Sequence, residues 1–333
     1  MNLTILQQIE KTAEAFSVKN DSVFFGNDDT GIQVNDFEAS EKIQKLSDII
    51  YRNCYCRNQF SSQKAELTSL TGNESERLLF ISKLNEANKT QDILDKGWSI
   101  EEIDESGTLL VSKKEFQMIT TAGNYLNQSR IISEIRPLDK IMIRMLRDSQ
   151  QSENHFYFIN GMEQHEWWLT GSVRFYWNLK KEGAALLLES VSSQFNRFGI
   201  PFGFKCCSDP HSYSRNDSGV LYLANCYFNI GIKILKDIHK NISEFLKESV
   251  PLFTLKIAKG LSFAENPPSH QISFGQSRSR IIARGLWKAW NQNAVAEKIS
   301  DAVKQSINEN DLNPEKFYLN PRSCYEYDFT GFD

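Results

Sequence analysis

Long apolar runs are missing from this 333-residue chain. None approaches the roughly 20 consecutive apolar residues of a membrane-spanning helix, so no membrane partner is predicted. The first residues, MNLTILQQIEKTAEAF, also lack the basic flank and apolar block of a secretory signal. We therefore expect a cytoplasmic protein. An export address that is read by a receptor and not cleaved stays open as the alternative.

An excess of basic residues is absent too. The 38 Lys and Arg side chains are outnumbered by 42 Asp and Glu side chains, which gives a formal net charge of -4. This balance argues against a general nucleic-acid-binding protein, because that class is strongly basic. A local basic pocket stays compatible with it, since net charge says nothing about where the charges lie.

Several chemical motifs are missing as well. No C-x-x-C pair occurs among the six cysteines, so we expect reduced thiols and no metal site. The nucleotide-binding, metalloprotease and hydrolase patterns G-x-x-x-x-G-K-[ST], G-x-G-x-x-G, H-E-x-x-H and G-x-S-x-G do not occur. The adjacent Cys206 and Cys207, next to Lys205, leave a cysteine nucleophile as an alternative.

Hydrophobic periodicity divides the chain into two parts. Apolar residues spaced by three or four predict helices over 2–17, 40–58, 74–89, 181–198, 229–248, 277–290 and 295–307. Alternating or β-branched segments predict strands within 98–119, 140–146, 155–159, 172–178, 201–223 and 253–263. We predict an α+β fold: a helical N-terminal region with a small β-hairpin (1–139), followed by a mixed α/β lobe with a central, largely antiparallel sheet (140–333).

The segment from Pro201 to Leu223 carries the densest set of chemically capable side chains. Lys205, His211, Arg215 and Tyr222 lie within 18 residues, in a polar loop between two apolar runs. Two short strands flanking a loop would bring these side chains to one end of a sheet, where they could converge on an anion. His211 is a candidate general acid or an exposed loop residue, and His270 poses the same choice.

Further cations come from other predicted elements. Arg174 lies inside the otherwise aromatic strand SVRFYWN, where a charge needs a partner or a ligand. Arg278, Arg280 and Arg284 follow a predicted helix start in SFGQSRSRIIARGL, and helix starts favour anions. Arginine forks suit phosphate or carboxylate, whereas a lysine base needs a pKa well below about 10.4. The alternative is that these are ordinary surface charges.

Two further pairs of residues each allow two interpretations. Asp209 and Asp217 can cap turns around the loop, or orient His211 and Arg215. Trp167 and Trp168 can line a peptide groove or belong to a buried aromatic cluster.

The run FYWNLKKEGAALLLESVSSQFNRFGIPFGFKCCSDPHSYSRNDSGVLYL resembles the HopA-type family of bacterial type III secretion effectors. The resemblance continues through SFGQSRSRIIARGL and covers about residues 140 to 320. Members of that family also occur as the lyase component of class V lanthipeptide synthetases. The family is distantly similar to phosphothreonine lyases, which remove phosphate from phosphorylated Ser or Thr by β-elimination.

The resemblance implies roles for individual residues. Lys205 corresponds to the lysine base, Tyr222 to the tyrosine, and Arg215, Arg278 and Arg280 to phosphate-binding arginines. The chain departs from the lyase pattern at Arg174, which stands on the strand where the lyase histidine is expected. The acid would then come from His211 or Tyr222, and Arg174 would join the phosphate ligands.

The leading hypothesis is a phosphoserine or phosphothreonine lyase that acts on a peptide and needs no metal or organic cofactor, because arginines neutralise the leaving phosphate. Its partner would be a phosphorylated peptide or protein. A separate kinase would be needed, since no kinase motif is present. The alternative is a non-catalytic, effector-like interaction module that binds a phosphorylated or acidic partner.

Overall fold

The computed structural model describes residues 3–19, 22–26, 32–33, 38–57, 73–114, 116–125, 135–151, 156–162, 171–268, 272–292 and 296–332. Trp167, Trp168 and His270 lie outside these residues. Within them, no helix is both long and apolar enough to cross a membrane.

Helices dominate the described residues up to position 87. The elements of this region are α1 (Ile5–Glu14), β1 (Phe16–Lys19), β2 (Ser22–Phe25), β3 (Ile32–Gln33), α2 (Ala39–Ile49) and α3 (Glu74–Ala87). A capping box starts α1, because the side chains of Thr4 and Gln7 satisfy each other's backbone N–H groups. The helix α2 runs directly into a π-helical segment, Ile50–Tyr55.

The next elements are β4 (Ile93–Ile103), β5 (Leu109–Lys113), β6 (Phe116–Thr120), the short α4 (Ala122–Tyr125) and β7 (Lys140–Met145). The four strands form an antiparallel sheet in the order β6-β5-β4-β7. It buries Trp98, Ile100, Val111 and Ile143 in a core of its own. The predicted hairpin over 98–119 thus forms part of a larger sheet. The strand β7 pairs with β4 across the proposed boundary at residue 139, and that boundary stays a prediction.

The remaining elements are β8 (Asp148–Gln151), β9 (Phe156–Asn160), β10 (Ser172–Trp177), α5 (Ala184–Arg197), β11 (Gly203–Cys207), β12 (Gly219–Ala224), α6 (Phe228–Ile242), β13 (Leu255–Ala258), β14 (Leu261–Glu265), α7 (Phe274–Asn291) and α8 (Ala296–Asn308). Among the described residues, seven of these strands form the central sheet, all antiparallel, in the order β13-β14-β10-β12-β11-β9-β8. The predicted α+β class with a central antiparallel sheet is confirmed.

Both faces of the central sheet are covered, which explains why every residue of β10 is buried. Because side chains alternate along a strand, Phe175 and Trp177 enter the core beneath α5 and α6. Tyr176 enters the opposite core, which contains residues of α1, the π-helical segment, α7 and α8. Arg174 shares the face of Tyr176. The described N-terminal elements up to the π-helical segment therefore cover the face of the sheet that carries the predicted site.

The aromatic C-terminal residues pack against the rest of the molecule. The ring of Phe317 is buried beside Phe253, with 5.7 Å between ring centroids. Further along, Tyr327 packs on Phe228 and Phe263. Residues 317–329 thus pass from one core of the sheet to the other.

Candidate functional site

Three adjacent strands bring Arg174, Tyr222 and Lys205 onto one face of the central sheet. Arg174 of β10 is directly opposite Tyr222 of β12. Lys205 of β11 is opposite Val220, two residues from Tyr222 on the same strand. Diagonal neighbours on one face of an antiparallel pair are about 7–8 Å apart at the backbone, which long side chains can span. The sheet register, rather than the loop, therefore creates this grouping.

Tyr222 lies between the two cations. The Arg174 guanidinium carbon is 5.0 Å from the centre of the Tyr222 ring. Burial raises the pKa of the Tyr222 phenol, but the charges of Lys205 and Arg174 and a hydrogen bond with Lys205 outweigh it, so the pKa lies below its ordinary value. The phenol is consequently a stronger acid than an ordinary tyrosine.

Arg174 is held by neutral groups. Its side chain is buried, and its Nε donates to Asn266 Oδ1 at 2.6 Å. Burial lowers the pKa of Arg174, but Tyr176, Tyr222 and Tyr55 counteract it and the pKa is raised, so the guanidinium stays charged. Among the described residues, no carboxylate forms an ion pair with it. No described carboxylate therefore neutralises its positive charge.

Aromatic rings surround Lys205 as well. Its Nζ lies 4.3 Å from the centre of the Phe156 ring and 5.5 Å from that of Phe158, both on β9. The Arg215 guanidinium carbon lies 5.0 Å from the same Phe156 ring. Lys205 and Arg215 therefore share an aromatic neighbour, and a ligand near this ring would sense both positive charges.

Arg215 already has an anionic partner. Its Nε and one Nη donate to the two oxygens of Asp217 at 2.6 and 2.9 Å, a bidentate ion pair. The same Nη contacts the Tyr51 hydroxyl at 3.1 Å. Of the two alternatives for Asp217, the one in which it orients Arg215 is found. Asp209 instead caps the turn, by accepting from the backbone N–H of His211.

Arg278 binds protein carbonyl groups. From the first turns of α7, its Nε donates to the carbonyl oxygen of Phe317 and an Nη to that of Leu319, both at 2.7 Å. Burial lowers the pKa of Arg278 to about 10. In this arrangement its fork holds the C-terminal residues, and its role as a phosphate ligand stays a prediction.

Among the described residues, neither Arg280 nor His211 contacts the Arg174–Tyr222–Lys205 group. Arg280 is half-buried on α7, and its Nε has no hydrogen-bond partner in the described part of the chain. His211 Nε2 lies 3.2 Å from a carboxylate oxygen of Glu76 on α3. No hydrogen bond or ring contact among the described residues joins either side chain to the group. The predicted roles of Arg280 and His211 are thus not supported by direct contacts.

Sequence reasoning did not identify four side chains that border the site. Tyr51 and Tyr55 come from the π-helical segment, and their spacing of four indicated only an apolar helix face. Tyr176 follows Arg174 by two residues, so strand alternation could have placed it on the same face. Asn266 gave no signal, because 92 positions separate it from Arg174. Burial is the main cause that raises the pKa values of Tyr51, Tyr55 and Tyr176, so all three stay uncharged.

The fold and site together describe an α+β protein with a buried tyrosine–cation group on its central sheet. The model of the HopA1 effector protein family matches residues 147–319, which is just over half of the chain. The chain therefore belongs to the HopA1 effector protein family, in agreement with the resemblance in the sequence.

Solved structures of two bacterial effectors resemble the chain. One is an effector protein from Pseudomonas syringae pv. tomato strain DC3000, with 15% identity, 95% of this chain and 96% of that chain covered, and a TM-score of 0.50. Another is the effector protein from Pseudomonas syringae pv. syringae strain 61, with 16% identity, coverages of 85% and 97%, and a TM-score of 0.44. At this identity the first likeness shows a shared fold only. No curated protein sequence matches the chain.

Proposed function

We propose that this protein is a phosphoserine or phosphothreonine lyase that converts a phosphorylated peptide to a dehydroamino acid by β-elimination. The observation that carries the proposal is the position of the Tyr222 phenol between Arg174 and Lys205 on one sheet face. This arrangement offers a base, an acid and a fixed positive charge within one site, which is the set of groups that elimination of phosphate requires.

In the proposed elimination, Lys205 acts as the base and Tyr222 as the acid. Lys205 Nζ, unprotonated at the start of the reaction, takes the proton from Cα of the phosphorylated residue and becomes the ammonium ion whose charge lowers the pKa of Tyr222. The electron pair of the broken Cα–H bond forms the Cα=Cβ double bond, and the Cβ–O bond to phosphate breaks. Tyr222 gives its phenolic proton to the leaving phosphate oxygen. The Lys205 ammonium then returns a proton to the Tyr222 phenolate through their hydrogen bond, which restores both groups.

Tyr222 is a better candidate than His211 for the acid in this scheme. Its lowered pKa favours proton donation to the leaving oxygen, and it contacts the proposed base directly. His211 is instead directed towards Glu76. Arg174 would hold the phosphate, with Arg215 contributing to the positive potential beside Phe156. Arg278 and Arg280 stay predicted phosphate ligands.

Incubation with phosphoserine and phosphothreonine peptides, followed by mass spectrometry, tests the proposal. We expect loss of phosphoric acid from the peptide. The Lys205→Ala variant should lose this activity entirely, and Tyr222→Phe should lose about 10²–10⁴-fold, the usual scale for an acid–base group. Glu315→Gln, at an exposed position outside the site, is the control. Absence of a dehydrated product from both peptides at mildly acidic to mildly basic pH would contradict the lyase.

A second candidate function is a non-catalytic module that binds a phosphorylated or acidic partner. It is favoured by the engagement of two predicted phosphate ligands with protein atoms, Arg215 with Asp217 and Arg278 with two carbonyl groups. In that case peptides would bind without turnover, and Arg174→Gln would weaken binding while Lys205→Ala would leave the peptide mass unchanged, as in the unsubstituted protein.

The cellular setting follows from the chosen function. A lyase would require a separate kinase to phosphorylate its peptide, as in lanthipeptide biosynthesis. An effector would require type III secretion, and membership of the HopA1 effector protein family supports that route. Residence in the cytoplasm stays a prediction, with export as a type III effector as its alternative.

A further inference from the structure

The end of β14 connects the C-terminal residues to the candidate site. Glu265 and Asn266 are consecutive, yet they bind in different directions. Three donors from the C-terminal residues reach the Glu265 carboxylate: the Asn320 N–H at 2.6 Å, the Ser323 hydroxyl at 2.5 Å and the Tyr327 hydroxyl at 2.7 Å. Asn266 instead accepts from Arg174. One short piece of backbone therefore holds both groups.

Asn266 itself is fixed from two sides. Its backbone N–H donates to the carbonyl oxygen of Ser172 at 2.8 Å, and its own carbonyl oxygen accepts from Asn320 Nδ2 at 2.6 Å. The side-chain oxygen is thereby presented to Arg174 Nε. Asn320 thus contacts both Glu265 and Asn266, and it belongs to the same residues that Arg278 holds through the carbonyl groups of Phe317 and Leu319.

We propose that residues 317–327 are a working part of the site: they fix Asn266, and Asn266 is the positioning residue that sets the orientation of Arg174. The name C-terminal strap is used for these residues. This inference extends the proposed function. Only the phosphate-binding experiment below depends on that function.

The chemistry of the contact supports a positioning role. A carboxylate at position 266 would neutralise Arg174 and compete with a ligand anion. The neutral amide oxygen of Asn266 fixes the guanidinium plane through Nε and leaves the charge of Arg174 uncompensated. Glu265 depends on the strap, because burial of a carboxylate is unfavourable unless its oxygens accept hydrogen bonds. The three strap donors supply those bonds, so release of the strap would leave this carboxylate unsatisfied.

The first experiment compares Asn266→Asp and Asn266→Ala with the unsubstituted protein. Inorganic phosphate is the probe, with affinity measured by calorimetry and folding by thermal melting. We expect Asn266→Asp to bind phosphate about tenfold or more weakly, the scale of one charge-assisted contact, without a lower melting temperature. If Asn266→Asp binds phosphate as well as the unsubstituted protein does, Asn266 does not position Arg174 for an anion.

The second experiment examines the strap without any ligand. The Arg174 Nε–H signal in NMR spectra is identified by its loss in Arg174→Lys, and its hydrogen exchange is measured. We expect slow exchange in the unsubstituted protein, and exchange at least tenfold faster in Asn266→Ala and in Glu265→Gln. The matched control is Glu315→Gln, which changes an exposed carboxylate just outside the strap and should leave exchange unchanged.

Limited proteolysis completes the design by reporting whether Glu265→Gln releases the strap. A released strap with unchanged exchange at Arg174 would overturn the inference, and so would a strap that stays protected in Glu265→Gln. The proposed function fails separately, if the unsubstituted protein binds no phosphate. In that case the exchange measurement still decides whether the strap positions Arg174.

Discussion

Tyr222 shows at the scale of one residue how opposing forces set a chemical property. Burial disfavours a phenolate, whereas two adjacent cations favour it, and the cations dominate. Tyr51, Tyr55 and Tyr176 lie nearby, and burial raises the pKa of each. Tyr222 differs from the others because the charges of two cations, Lys205 and Arg174, together outweigh the effect of burial on its pKa.

This difference predicts a tyrosinate absorbance step below the ordinary tyrosine pKa of about 10. The step should disappear in Tyr222→Phe and move to higher pH in Arg174→Gln, because one of the two cations is lost. A spectrophotometric pH titration of the folded protein measures both. If Tyr222→Phe leaves the titration curve below pH 10 unchanged, the account of Tyr222 is wrong.

The lowered pKa of Tyr222 also determines how the stability of the protein changes with pH. Because the pKa is lower in the folded than in the unfolded protein, the folded state binds fewer protons between the two values. The contribution of Tyr222 to the free energy of unfolding is therefore fully present above the unfolded pKa and is lost as the pH falls through the folded one. The stability difference between the unsubstituted protein and Tyr222→Phe should rise as the pH approaches 10.

At the scale of elements, the close approach of α7 to the π-helical segment positions the tyrosines over the sheet. Gly275 lies in the first turn of α7, and a Cβ there would be 2.5 Å from a ring carbon of Tyr55 and 2.8 Å from one of Tyr51. Both distances are too short for a side chain. The glycine therefore permits the contact between the two elements, and Tyr51 in turn contacts Arg215.

Gly275→Ala should destabilise the protein by about 1–3 kcal/mol, the usual cost of overpacking, because rigid rings must move. Gly123→Ala is the matched control, since it also lies in a helix but nothing lies within 4 Å of the added Cβ. We expect the control to be neutral or slightly stabilising. Urea denaturation of both variants checks this, and equal stability of the two would refute the role given to Gly275.

The elements also show the limits of sequence reasoning. A helix was predicted over 40–58, and apolar spacing located it correctly. The change to π geometry at Ile50 was not predicted, because it leaves no mark in hydrophobic periodicity. It shifts the direction in which Tyr55 and Cys56 point. The strand SVRFYWN was predicted from alternation, which also separated Arg174 from the apolar face.

At the scale of the whole molecule, the N-terminal helices complete the core of the lobe. Ile9, Leu46, Ile50 and Tyr55 pack in one cluster with sheet residues such as Tyr176. Burial of one large apolar side chain contributes about 1.5–3 kcal/mol, so the four together match much of a typical net stability of 5–15 kcal/mol.

A fragment of residues 140–333 should therefore not fold as the full chain does. We expect it to bind a hydrophobic dye and to lack a cooperative thermal transition. Co-expression with residues 1–139 should abolish dye binding and restore the cooperative transition. Calorimetry and dye fluorescence measure the outcome. Cooperative melting of the fragment near the temperature of the full chain would instead favour two independent domains with a boundary at residue 139.

The sequence by itself determined the fold class, most helices, the buried arginine strand and the residue types of the site, because periodicity and charge are local properties of the chain. Only the tertiary structure decided which of those residues meet. The register of β10, β12 and β11 grouped Arg174, Tyr222 and Lys205, while Arg215 was bound by Asp217, and His211 turned towards Glu76. Asn266 and the C-terminal strap joined them across 92 and more positions, since hydrogen bonds depend on distance in space and not along the chain.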